Sequence, residues 1–164
     1  MTNNTFEDNS YFGIRFIESD GMGEEITGNT FNNDRTGIDG WKWDNYIVSD
    51  NQFNENRLAA IKCQYCKGNI VSGNTMTDNG SGLILEFNLT SGSTFTDNTI
   101  TGSTSNGVYL QRGHLHNVTG NYICSDSGSN DIYCDGSYNG DISGNTATRI
   151  YDYRCGVVAG PECP

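Results

Sequence analysis

Acid–base chemistry on a sugar needs a proton carrier and a charged partner. The residues best suited to those roles here are Lys62, Glu86, Tyr109, Arg112, His114, His116 and Asp135. Glu86 with Asp135 has the composition of a hydrolase pair, in which one carboxyl protonates the leaving oxygen while the other attacks or activates water. Arg112-Gly113-His114-Leu115-His116 gathers a guanidinium and two imidazoles, although the same string is ordinary for a polar loop. A second set suits binding. Sugar grooves use flat aromatic faces against the apolar side of a pyranose, with acids, amides and bases reaching its hydroxyls. Arg15, Asp39, Trp41, Trp43, Tyr65, Gln111 and Tyr133 supply such groups. Strand preference alone also enriches a solvated sheet in aromatic and β-branched residues.

Whether these residues share a surface depends on the elements that carry them, and those elements repeat. Ile26-Thr27-Gly28-Asn29-Thr30-Phe31 returns in variant form around Asn51, Asn74, Asn98, Asn121 and Asn145, with a partial copy at Asn4, so that the anchoring asparagines lie 22 to 25 residues apart. A fixed period of that length marks a stacked repeat architecture. About ten residues after each asparagine comes a second phrase: Gly13-Ile14, Gly37-Ile38, Ala60-Ile61, Gly82-Leu83, Gly107-Val108, Asp131-Ile132 and Gly156-Val157. From it apolar residues alternate, as in Ile61 and Cys63 or Leu83 and Leu85, which predicts a short strand with one buried face. The asparagine phrase supplies two more strands. Three short strands per repeat, without helical spacing or hairpin signals, predict a coil of about seven turns in which each strand pairs in parallel with its equivalent one repeat later.

The outward residues then form two columns, one running Arg15, Asp39, Lys62, Ile84, Tyr109, Tyr133 and Val158, its neighbour including Ile17, Trp41, Gln64, Glu86, Gln111 and Asp135. The asparagines form a third, internal column in which amides bond amides. A corner there needs a residue that tolerates a left-handed backbone, and the asparagine that follows Gly is the one expected to adopt it.

This pattern resembles the right-handed parallel β-helix, an all-β repeat family shared by pectate-lyase-like enzymes, alginate epimerases, copper-site accessory proteins and phage tailspikes. The resemblance covers residues 3 to 160. It implies a fold and leaves activity open. Enzymes of this kind eliminate or epimerise uronic acids, with a cation or Arg neutralising the carboxylate and a Lys, His or Tyr moving the proton. Lys62, Tyr109, Arg112, His114 and His116 would supply those parts. The paired-aspartate and His-Gly motifs of polygalacturonases and the Asp-Pro-His motif of alginate epimerases are absent from the sequence.

Composition bounds the partners. A formal charge of −11 argues against nucleic acid or an anionic membrane surface, and no apolar run is long enough to span a membrane. Cys63, Cys66, Cys124, Cys134, Cys155 and Cys163 permit three local disulfides between sequence neighbours, implying a secreted or cell-surface protein, although six cysteines allow many pairings. A zinc reading of Cys63-Gln64-Tyr65-Cys66 lacks a second pair. No cofactor is expected; calcium is the one ion that the acidic residues Asp34, Glu55, Asp78 and Asp97 admit. Serine and threonine columns such as Thr27, Ser49 and Ser72 resemble those of ice-binding solenoids, but are also default choices for exposed strands. Asn88-Leu89-Thr90 and Asn117-Val118-Thr119 have the form of glycosylation sequons.

The reading is a single domain over residues 1–164, with 155–164 closing the last turn, that binds and in one version processes polysaccharide. The enzyme classes in question are lyase, epimerase and glycoside hydrolase. The alternative is a structural coil that stacks end to end through uncapped strand edges into a filament, spike or surface layer.

Overall fold

The computed structural model describes residues 1–86, 92–126, 128–136 and 140–164. The described residues contain strands and turns and no helix, so none that could cross a membrane. Among the described residues nineteen strands wind into three parallel sheets. The trailing sheet holds the strands that follow each ladder asparagine: β1 (Thr5–Glu7), β4 (Thr30–Asn32), β7 (Gln52–Asn54), β10 (Thr75–Thr77), β13 (Thr99–Thr101) and β16 (Tyr122–Cys124). The leading sheet holds those that precede it: β3 (Glu25–Thr27), β6 (Ile47–Ser49), β9 (Ile70–Ser72), β12 (Thr94–Thr96), β15 (Asn117–Thr119) and β18 (Asp141–Ser143). The broad sheet is built from β2 (Phe12–Asp20), β5 (Thr36–Asp44), β8 (Ala59–Gln64), β11 (Ser81–Glu86), β14 (Asn106–Gln111), β17 (Asn130–Asp135) and β19 (Ile150–Tyr153). Every pairing is parallel and joins equivalent residues of successive turns, as in Phe31 with Phe53 and Val48 with Val71. The molecule is therefore a parallel β-solenoid of about six turns, with a seventh strand only in the broad sheet.

Alternation fills the core. One residue per short strand and two per broad strand point inward, giving stacks such as Phe6, Phe31 and Phe53, whose rings lie 4.9 and 4.7 Å apart and nearly parallel. Along the broad sheet Ile38, Ile61, Leu83, Val108 and Ile132 do the same. No turn is apolar enough to fold alone, but each covers the next, and the dry interior becomes continuous.

The corner between the leading and trailing sheets carries the ladder. Each asparagine from Asn4 to Asn121 donates its Nδ2 to the Oδ1 of the next, through Asn29, Asn51, Asn74, Asn98 and Asn121 to Asn145, over 2.9–3.0 Å. The same oxygen accepts the preceding asparagine's backbone N–H. The left-handed residue is the one before the ladder position. It is Gly at 28, 73, 120 and 144, with φ of 64–67°, and Asn3, Asp50 and Asp97 at the other rungs. Glycine meets this backbone at no steric cost, whereas an L side chain pays a little for it.

The C-terminal end is covered. Beyond β19 the tail crosses the last turn: Val158 N–H donates to Ile142 O, Ala147 N–H to Pro161 O, and Cys163 N–H to the Thr148 hydroxyl. All six cysteines are paired, but only Cys63–Cys66 joins sequence neighbours; the others are Cys124–Cys163 and Cys134–Cys155. Proximity in sequence misled because the tail folds back over the coil, and these two bridges pin it to β16 and β17. The last outward position is likewise corrected. Tyr133 pairs with Tyr151 of β19, and the expected Val158 lies in the tail instead, 61 % exposed.

Candidate functional site

The broad sheet aligns both expected columns. Arg15, Asp39, Lys62, Ile84, Tyr109, Tyr133 and Tyr151 stand in register, as do Ile17, Trp41, Gln64, Glu86, Gln111, Asp135 and Tyr153. At the N-terminal end the charges neutralise one another: the Arg15 Nε–H lies 3.2 Å from Asp39. Burial raises the Asp39 pKa, and the Arg15, Lys62 and Arg35 charges pull against that rise. Lys62 pairs with Glu86 at 3.5 Å, and the same carboxylate oxygen accepts from the Gln64 amide at 2.7 Å.

Beyond Ile84 the column is aromatic. Tyr109 stacks on Tyr133 at 5.1 Å and Tyr133 on Tyr151 at 4.5 Å. Stacking across turns covers both faces of Tyr133, whereas Tyr109 is first in the stack and has Ile84 as its other neighbour in the column. There a groove of about 280 Å³ opens, lined by residues of three successive turns including Leu58, Ser81, Ile84, Glu86, Asn106 and Tyr109. The Tyr109 pKa is raised by burial and by the nearby Glu86, Tyr133 and Asp135 groups.

The remaining expected residues divide. Trp41 stays on the surface with the Lys42 ammonium 4.5 Å from its ring centre. Tyr65 is exposed on a left-handed turn just after β8. Trp43 does not belong to a binding face. It is fully buried, stacked at 5.2 Å on Phe16, because the chain kinks through left-handed Glu18 and Lys42 and turns the following residues inward. Arg112 occupies the equivalent kink two residues before half-buried His114.

His116 is also interior, 2 % exposed and edge-on to Phe95 at 6.0 Å, and neither ring nitrogen has a hydrogen-bond partner. Burial, helped by His114 and opposed by the Ser93 backbone, lowers its pKa to about 4. A neutral, enclosed imidazole cannot exchange a proton with a ligand on the sheet, so its expected catalytic place is not met. Glu86 and Asp135 lie in one column with Gln111 between them, so their Cα atoms are two strand spacings, or roughly 10 Å, apart.

Two internal polar columns carry no sequence phrase that announced them. At the corner entering the broad sheet run Asn9, Asp34, Asn56, Asn79, Ser103 and Ser125; at the corner leaving it run Tyr46, Asn69, Ser93 and His116. Their regular spacing was the available signal, hidden because the residue type changes from rung to rung. Asp34, expected among calcium-holding loop residues, is a buried rung accepting from Asn9, while Glu55, Asp78 and Asp97 sit at left-handed turn positions.

The soft metal donors are soon counted. Every thiol is in a disulfide, Met76 is in the core, and Met1 and Met22 are exposed. No three His, Cys, Asp or Glu side chains converge among the described residues, and the stretches outside them contain no His, Cys or Met. The sequon at Asn88 lies outside the described residues, and Asn117 opens β15.

Residues 1–160 match the family described as "NosD: Periplasmic copper-binding protein (NosD)". Neither a curated protein nor a solved structure matches the chain. The family description corrects the expectation of no cofactor, or of calcium alone, since its ion is copper. Among the described residues the donors above do not assemble into a centre for such an ion.

Proposed function

The chain belongs to the NosD family of periplasmic copper-binding proteins, and from that premise we propose that it is a β-solenoid module that binds polysaccharide at the Tyr109 groove of its broad sheet. The family is periplasmic, so the chain works outside the cytoplasm, in keeping with three disulfides. One observation carries the reading: Tyr109 and Ile84 line one groove, with Glu86, Ser81 and Asn106 around them. A pyranose ring presents that same combination of an apolar face and a hydroxyl rim. Binding is favoured over turnover, because Lys62 is engaged by Glu86.

End-to-end stacking is the rival. The disulfide-bound tail argues against it, since Val158 and Pro161 already use backbone groups that a following turn would take.

Calorimetric titration with soluble oligosaccharides tests the proposal. Tyr109→Ala is expected to weaken retention about tenfold, the worth of one well-placed aromatic contact. Unchanged affinity in that variant removes the reading. Sedimentation velocity tests the rival, which requires assembly that grows with concentration.

A further inference from the structure

Resting on the glycan reading above, we infer that the Tyr109 groove takes neutral sugars, hexose or N-acetylhexosamine units, and that Glu86 is the residue that turns away uronates and sulfated sugars. Only Arg57 and Glu86 among the groove's lining residues are charged. Arg57 is directed elsewhere: its guanidinium donates to the Asn9 carbonyl, two turns toward the N-terminus, at 3.1 Å. Glu86 lines the groove, its Oε2 taking both Gln64 and Lys62. A carboxylate is a strong acceptor for a sugar hydroxyl.

The same carboxylate repels an anionic substituent. Lys62, 3.5 Å from Oε2, offsets that repulsion only in part. Asp135 lies two turns further along the same column, and the chain as a whole carries −11. Nearly buried Ser81, with Asn106, adds neutral polar groups suited to hydroxyl or acetamido substituents. The volume, about 280 Å³, is near the lower limit of ~300 Å³ for ligand pockets and suits one ring of a longer chain. Selectivity here comes from the cost imposed on the wrong sugar as much as from contacts to the right one.

The test is calorimetric titration of the full chain at low salt with cellohexaose, chitohexaose and hexagalacturonate. The wild type is expected to bind at least one neutral hexamer about tenfold more tightly than hexagalacturonate, the scale of one unfavourable charge contact. Glu86→Gln should narrow that ratio to about threefold or less, chiefly by improving galacturonate binding. Lys62→Gln, which leaves Glu86 uncompensated, should widen it, and added salt should shrink it. Galacturonate bound as tightly as the neutral hexamers, or a ratio that neither variant moves, overturns the selectivity while leaving the glycan reading standing. Failure of the wild type to bind any of the three overturns both.

Discussion

Two polar columns run through the same coil under the same symmetry, yet one is complete and the other is not. The ladder from Asn4 to Asn145 is asparagine at every rung, and no side-chain atom in it is both buried and unpartnered. The column from Asn9 to Ser125 changes its residue type, and Asp34 Oδ2, Ser103 Oγ and Ser125 Oγ are buried without partners. The corner at His116 repeats the lesson, with both ring nitrogens unpaired. An amide carries donors and an acceptor, so each asparagine accepts from one neighbour while donating to the next. A carboxylate, a lone hydroxyl or a bulky ring breaks that reciprocity, and the cost of an unmade buried hydrogen bond goes uncompensated.

The contrast can be broken most severely from within the complete ladder. Asn74→Ala strands the Asn51 backbone N–H, takes one acceptor from the Asn51 amide and removes the Nδ2 that donates to Asn98, Val48 and Ser72. Chemical denaturation should show a loss of about 4 kcal/mol, several unsatisfied groups at 1–3 kcal/mol each. A loss below about 1 kcal/mol would mean that the ladder is ornamental.

The next effect belongs to His116. Its pKa falls from 6.5 to about 4 on folding, so the unfolded chain binds the proton more tightly than the folded one. Stability is therefore full above about pH 6.5 and declines as pH falls from there toward 4, by roughly 2–3 kcal/mol. His116→Phe should flatten that slope in pH-dependent thermal melts; an unaltered slope would assign it to other groups. Asp131 adds to acid sensitivity lower down. Burial disfavours its carboxylate, but the Arg149, Ser125 and Thr148 backbone amides and the Arg149 guanidinium outweigh burial and lower its pKa. Its contribution is present above the ordinary aspartate range and is lost as pH drops through the lowered value.

The smallest effect sharpens the comparison in the other direction. Asp34→Asn restores an amide among amides and supplies a donor where Oδ2 now has no partner. Denaturation should show a gain of about 1 kcal/mol. Destabilisation instead would show that the carboxylate has a role that the column geometry does not reveal.

The groove was partly legible. Ile84, Glu86 and Tyr109 fall on the outward face of a strand whose alternation is visible in the sequence, so period and parity sufficed to bring them together. Trp43 and His116 were misplaced for one common reason. Trp43 lies in β5 just after left-handed Lys42, and His116 lies beyond β14 after left-handed Arg112 and Leu115, and such residues interrupt the inside–outside alternation. Parity counts cannot see a kink. The stacked tyrosines were placed in the right column, but which ring is covered on both faces depends on the neighbour above and below.

By itself the sequence determined the winding. Seven asparagines at a steady period, each after a residue able to adopt a left-handed backbone, leave few ways to satisfy buried amides other than placing them one above another. Only the tertiary structure decided what closes the coil and where its surface opens. Disulfide partners, the tail's path over the last turn and the groove between Ile84 and Tyr109 all join residues far apart along the chain. Local spacing carries periodicity, whereas contact between distant segments depends on the packed whole.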